Sequence, residues 1–225
     1  MNERKRIVIG IPHTGLLNSD VVMRLLNLDR QQYYVTIQLL KSSILYISRE
    51  YLTKAALDAD ADYLMFLDSD QLIESDCINR MAKHLDNGED IVTTLIFRKD
   101  PPYEPCIFAR QEELPNRQIA LQYYDVESQD LTKPFYVESC GFGCTMMKLD
   151  IFKNISEPWF LPRPYTGEDL SFMWEARQKG YKVLCDPTIE VGHIGFKNFT
   201  RQDYFKIIQD EYKIINGSVT PEVYL

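Results

Sequence analysis

A chain of 225 residues, 45% hydrophobic and 12% aromatic, can bury a full core and reads as a single domain, which excludes a disordered or low-complexity protein. Its net charge of −8 and pI near 5.0 argue against a general polyanion binder and disfavour nucleic acid as a partner, leaving Arg98, Lys99 and Arg110 as a local basic patch. Cys77, Cys106, Cys140, Cys144 and Cys185 are an odd set without a zinc-ligand pattern; with no apolar N-terminal signal and no membrane-length apolar run, the expectation is a cytoplasmic protein with reduced thiols and no transmembrane segment.

Along the chain, Arg6 to Ile11 reads as a first strand running into Pro12-His13-Thr14-Gly15, and Asp20 to Asp29 as a helix. Tyr33 to Leu40 fits a second strand. Ser43 to Ala59 has the spacing of an amphipathic helix, with Ile44, Ile47, Tyr51, Ala55 and Leu57 as buried candidates. Tyr63 to Leu67 is an unbroken apolar run, as expected for a strand covered on both faces. A helix from Asp76 to Leu85 follows, stopped by Asn87-Gly88, and Asp90 to Phe97 supplies a fourth strand. These alternations predict a mostly parallel α/β sheet flanked by helices.

From Arg98 to Phe135 the composition turns to proline, glutamate, glutamine and tyrosine, with short pieces at Cys106–Ala109 and Gln118–Tyr124, which predicts a smaller antiparallel portion over the sheet's working edge. Strands are expected at Pro134–Val137 and Gly143–Lys148 around a glycine corner, then a short helix at Asp150 and a proline-rich loop from Pro158 to Pro164. Asp169 to Lys179 reads as a helix ended by Gly180. Short strands at Tyr181–Cys185 and Ile189–Val191, a turn at Gly192–Gly195 and a last helix over Thr200–Ile215 complete the chain.

Chemistry concentrates where the third strand ends, at Asp68-Ser69-Asp70. Ligands of open α/β sheets bind beyond the carboxyl ends of strands. Two acids one residue apart repel unless a cation relieves them, and hard oxygens suit Mg²⁺ or Mn²⁺. The Asp58/Asp60 and Asp60/Asp62 pairs follow no strand and read as decoration of a helix end. Asp68-Ser69-Asp70 also admits a plain solvated turn, and the acids Glu168-Asp169 a plain helix start, where carboxylates complement free amides.

Together, Pro12-His13-Thr14, Asp68-Ser69-Asp70, Gly141-Phe142-Gly143-Cys144, Gly167-Glu168-Asp169-Leu170 and Gly192-His193 resemble the GT-A glycosyltransferases, nearest to the family 2 type and its relatives with Asp-x-Asp and a late histidine, over roughly residues 4 to 198. The resemblance implies one GT-A-like domain over residues 1–225: a nucleotide-binding half at 1–97, an acceptor and catalytic half at 98–199, and a C-terminal helix and tail at 200–225. It implies a donor that is a nucleotide-diphosphate sugar, UDP-linked first and GDP-linked second, a hydroxyl acceptor, and Mn²⁺ or Mg²⁺. By the same resemblance, Asp70 and His193 hold the metal, with Asp68 on the ribose or a metal-bound water. Pro12, Thr14, Gly15, Arg49, Asp68, Ser69 and Asp70 lie along the donor. Asp169 is the base, with Glu168 second, and Gly141, Gly143, Trp159 and Tyr165 lie on the sugar and acceptor side. The chain departs from the family at His13, where a small polar residue is commoner, and at Gln38, where many members carry an acid that reads the base. Inversion and retention both remain open.

Two other readings stand beside this one. A haloacid-dehalogenase-like phosphatase would use Asp68 as nucleophile, though its motif lies near the N-terminus and continues with Thr or Val where this chain has Leu72. A GT-A domain that binds nucleotide sugars without turnover would keep the same donor residues.

Overall fold

The computed structural model describes residues 4–195 and Arg201. Alternation along the strands sorts side chains to the two faces of one sheet. In β1 (Arg6–His13), Ile7, Ile9 and Ile11 point to one face and Val8 to the other; in β3 (Tyr63–Leu67), Tyr63, Met65 and Leu67 share the first face while Leu64 and Phe66 take the second. On the first face pack α1 (Ser19–Leu26), through Val21 and Leu25, and α3 (Cys77–Asp86), through Ile78, Met81 and Leu85. On the second pack α2 (Leu45–Asp58), α4 (Ile151–Asn154) and α5 (Glu168–Gln178), around Phe66, Phe142, Phe152, Phe160 and Phe172. Gly10 permits this closeness, because a Cβ there would sit 3.2 Å from Leu52 Cβ of α2.

The seven-stranded sheet is completed by β2 (Tyr34–Lys41), β5 (Ile91–Thr94), β8 (Phe135–Val137), β10 (Cys144–Lys148) and β11 (Val183–Asp186), in the order β2-β1-β3-β10-β5-β11-β8. Strands β2, β1, β3, β5 and β11 run parallel, while β10 and β8 run against them. The mostly parallel sheet expected from the sequence is therefore present, and so is the antiparallel portion: β6 (Ile107–Glu113) lies between β7 (Ile119–Tyr123) and β9 (Ser139–Cys140). A further pair, β4 (Gln71–Ile73) with β12 (Val191–His193), closes the edge beyond β3.

Three expectations need correction. The buried side of α2 is Ser48, Arg49, Leu52, Thr53 and Ala56, whereas Ile44 is 46% and Tyr51 62% exposed; the helix turns its arginine inward and its aromatic outward. Strand β5 stops at Thr94 because Phe97 leaves the sheet to bridge Pro105. His193 is not in a turn but in β12, paired with Gln71. The expected helix over Thr200–Ile215 lies outside the described residues, Arg201 excepted. The described residues up to Ile194 form one compact unit. No helix among the described residues is long and apolar enough to cross a membrane.

Candidate active site

Strand ends build the site. The last paired residues of β1 and β3 are Gly10 and Phe66, so Pro12 and Asp68, two residues on, emerge side by side at one sheet edge. Because β10 runs the other way, its start lies at that edge too, and Asp68 N–H donates to Gly143 O at 2.9 Å. Gln71 N–H then donates to Asp68 O at 3.1 Å, closing a tight turn over Ser69 and Asp70. In the first-strand loop, His13 Nδ1 accepts from Gly15 N–H at 3.1 Å; Gly15 has φ +133°, a conformation glycine adopts without strain. Thr14 is exposed beside them.

The two aspartates of the turn diverge. Asp68 Oδ1 accepts from Arg49 Nη2 at 3.0 Å, and Arg49 Nε donates to Glu168 at 3.0 Å. Arg49 is 1% exposed, with its guanidinium 4.9 Å from the Phe66 ring centre and 5.3 Å from that of Phe142. The expected donor-side arginine thus lies beneath the surface, joining the end of β3 to the start of α5. Burial pulls its pKa down, but the carboxylates of Asp68, Glu168 and Asp169 more than offset this and hold it above the ordinary value. Burial raises the Asp68 pKa, with Arg49 opposing and Asp70 reinforcing the shift.

Asp70 turns instead toward solvent, His193 and Lys99. His193 Nε2 lies 3.4 Å from Asp70 Oδ2, and Ile194 N–H donates to Asp70 O at 2.8 Å, so β12 is laced to the turn. His193 Nδ1 is 2.8 Å from the Phe97 carbonyl, an acceptor, so in neutral imidazole Nδ1 carries the proton. Nε2 then aims a lone pair at a carboxylate oxygen. Two acceptors facing one another are stabilised by a cation between them, and an imidazole steadied through its other nitrogen is the usual state of a metal-binding histidine. Carboxylate plus imidazole is a donor set that would suit Mn²⁺. Among the described residues no group of three or more His, Cys, Asp or Glu forms a self-sufficient metal cage.

Asp169 faces the other side. It lies in the first turn of α5, its Oδ1 accepting from Leu170 N–H at 2.7 Å. Gly167 leaves it room, since a Cβ there would meet Asp169 Oδ1 at 2.8 Å, and a Cβ on Gly141 would stand 3.4 Å from Oδ2. Burial, reinforced by Glu168 and opposed by Arg49, pushes the Asp169 pKa up to about 6. Asp169 and Gly141 line a cavity of about 570 Å³ together with Arg98, Phe108, Tyr123 and Tyr165. Cys106 also lines it, but burial raises this thiol to about 11, so it stays protonated and is no competing nucleophile.

The structure therefore brings His193 of β12 against the turn that carries Asp68 and Asp70, and Asp169, Gly141 and Tyr165 to one cavity. Two expected sugar-side residues are engaged in packing instead. Trp159 is 5% exposed, packs on Phe152 and donates its indole N–H to the Phe152 and Ile155 carbonyls. Gly143 is a packing position, where a Cβ would meet Ile96 Cδ1 at 2.9 Å. Two cations were missed as site residues: Arg98 on the cavity wall and Lys99, whose Nζ is 2.8 Å from Asp70 Oδ2. Their position just after a strand's carboxyl end was the available signal.

Residues 51–156 match the family described as glycosyl transferase family 2, a stretch running from α2 to just past α4 and containing the Asp68–Asp70 turn. This chain is a glycosyltransferase with a GT-A, family 2-like fold. The glycosyltransferase is similar in structure to A197 from STIV, at TM-score 0.64 and 18% identity over 85% of this chain and 86% of that one. It is also similar to GalNAc-T7, solved with UDP, GalNAc and Mn²⁺, at TM-score 0.60 and 15% identity over 94% of this chain but 49% of that one. No curated protein matches the glycosyltransferase in sequence. The fold does not favour the phosphatase alternative, and Asp68, the nucleophile it requires, is engaged by Arg49.

Proposed function

We propose that the enzyme transfers a sugar from a nucleotide diphosphate, in a metal-dependent reaction, to a hydroxyl acceptor held in the cavity beside Asp169. The observation that carries this reading is the separation of two chemistries on one edge: a carboxylate and an imidazole facing each other at 3.4 Å, and a second carboxylate with a pKa near 6 lining a cavity. UDP-sugar is the first choice of donor, with GDP-sugar second; GalNAc-T7, with its UDP and Mn²⁺, supports that order.

Asp70 and His193 would hold the metal, with Asp68 contributing through its remaining oxygen. A bound divalent cation would supply neutralisation of the charge that builds on the departing diphosphate. The loop at Pro12, Thr14 and Gly15 and the turn at Ser69 frame the nucleotide. The acceptor oxygen attacks the anomeric carbon as the bond to the diphosphate breaks; the electron pair leaves with the diphosphate, and the acceptor's proton passes to Asp169. Glu168, held by Arg49 through Oε1, positions the helix start. Tyr165, 91% exposed at the cavity mouth, offers a face on which a sugar can stack.

The decisive experiment is calorimetric binding of UDP and GDP with Mn²⁺ and with excess chelator. One nucleotide should bind tightly and only with metal, and Asp70→Asn or His193→Ala should each weaken it by about tenfold or more. Equal binding in chelator would refute the metal assignment. Direct displacement also inverts the anomeric centre, so NMR of the first-formed product should show the configuration opposite to the donor's; retention would remove Asp169 as base.

A further inference from the structure

The cation that meets Asp70 in this structure belongs to the chain itself. Lys99 Nζ lies 2.8 Å from Asp70 Oδ2, the same oxygen that faces His193 Nε2 at 3.4 Å. The segment presenting it is anchored: Phe97 bridges Pro105, Arg98 N–H donates to Glu104 O, and the Phe97 carbonyl accepts a hydrogen bond from His193 Nδ1–H. The ammonium is thus delivered by a short hairpin tied to the same histidine. Its side chain is nonetheless 42% exposed and has a flexible stem, so it can leave without disturbing the core.

One carboxylate oxygen cannot serve an ammonium and a divalent cation together without the two cations repelling each other. A donor diphosphate, however, offers the displaced ammonium new anionic oxygens a short swing away. Resting on the metal-dependent reading above, we propose that Lys99 is a tethered competitor of the divalent cation for Asp70, released by the donor's diphosphate, so that metal and nucleotide load the site cooperatively. Such coupling is reciprocal: UDP strengthens Mn²⁺ binding by the factor by which Mn²⁺ strengthens UDP binding.

The test is Mn²⁺ binding, followed through the electron paramagnetic resonance of the free ion, without nucleotide and at saturating UDP. The chains compared are the unmodified protein, Lys99→Met, Asp70→Asn, and Lys54→Met, which makes the same charge change on α2 where Lys54 pairs with Glu157. Lys99→Met should bind Mn²⁺ alone about fivefold tighter than the unmodified chain, gain less from UDP, and differ in both respects from Lys54→Met. Unchanged Mn²⁺ affinity in Lys99→Met, or an equal gain in Lys54→Met, overturns the role of Lys99 while leaving the metal site standing. Asp70→Asn separates the two ideas: if it binds Mn²⁺ as well as the unmodified chain, the metal reading fails and the proposal with it. No Mn²⁺ binding even by Lys99→Met overturns both.

Discussion

Asp169→Asn should lower sugar transfer by about two to four orders of magnitude while leaving Mn²⁺-dependent nucleotide binding within about twofold of the unmodified enzyme. The amide keeps the shape and can still accept from Leu170 N–H, but it cannot take the acceptor's proton. In the unmodified enzyme kcat/KM should climb about tenfold per pH unit to a limb near 6, because only the deprotonated carboxylate is competent. The same group makes an opposite prediction for stability. Its folded pKa lies above the ordinary 3.8, so between these values the folded chain binds more protons than the unfolded one, and stability falls as pH rises through that window. Above pH 6 the anion is a burden to the fold, and Asp169→Asn should melt no lower than the unmodified chain. An inactive variant that also melts well below it would show that Asp169 is structural; a fully active one would remove the base.

Arg49→Met should be the most destabilising single change at the site, by about 3–5 kcal/mol. It leaves the Asp68 and Glu168 carboxylates without the cation that holds both at 3.0 Å, and it removes the charge lying over Phe66 and Phe142. For a chain of this size such a loss lowers the melting temperature by about 10 °C. Urea unfolding is the direct measurement, and a change below about 1 kcal/mol would show that the triad contributes little. Arg49→Lys should recover only part of the loss, because one ammonium cannot present the fork that spans two carboxylates. In an Arg49→Met chain that folds, the Asp169 limb should move to higher pH, since Arg49 is the cation that holds that pKa down.

Strand β3 was legible residue for residue because five consecutive apolar side chains face two covered sides, and the acids at its end mark where covering stops. The start of α5 was legible from Gly167-Glu168-Asp169. The inner face of α2 was not: periodicity assigns arginine outward, and the partners that make its burial affordable, Asp68 and Glu168, lie 19 and 119 residues away. The β4–β12 pairing escaped for a similar reason, since three-residue strands carry no period and only their pairing defines them. Trp159 resembles a sugar platform in a proline-rich loop, yet its indole N–H found two carbonyls of its own chain and the ring found Phe152.

The reversed direction of β10 has a further meaning for how such a chain can vary. Strand β5 ends, and β10 begins, at the edge where Asp68 lies, so everything from residue 95 to residue 143 departs from that edge and comes back to it. That excursion supplies most of the cavity wall beside Asp169, while its two ends are fixed by neighbouring strands. Within it β7 pairs only with β6 among the described strands, so on the reading proposed above the length and lining of that hairpin can be exchanged, and acceptor preference with it, while β8 stays in the main sheet and Phe97 and Lys99 keep their contacts with His193 and Asp70.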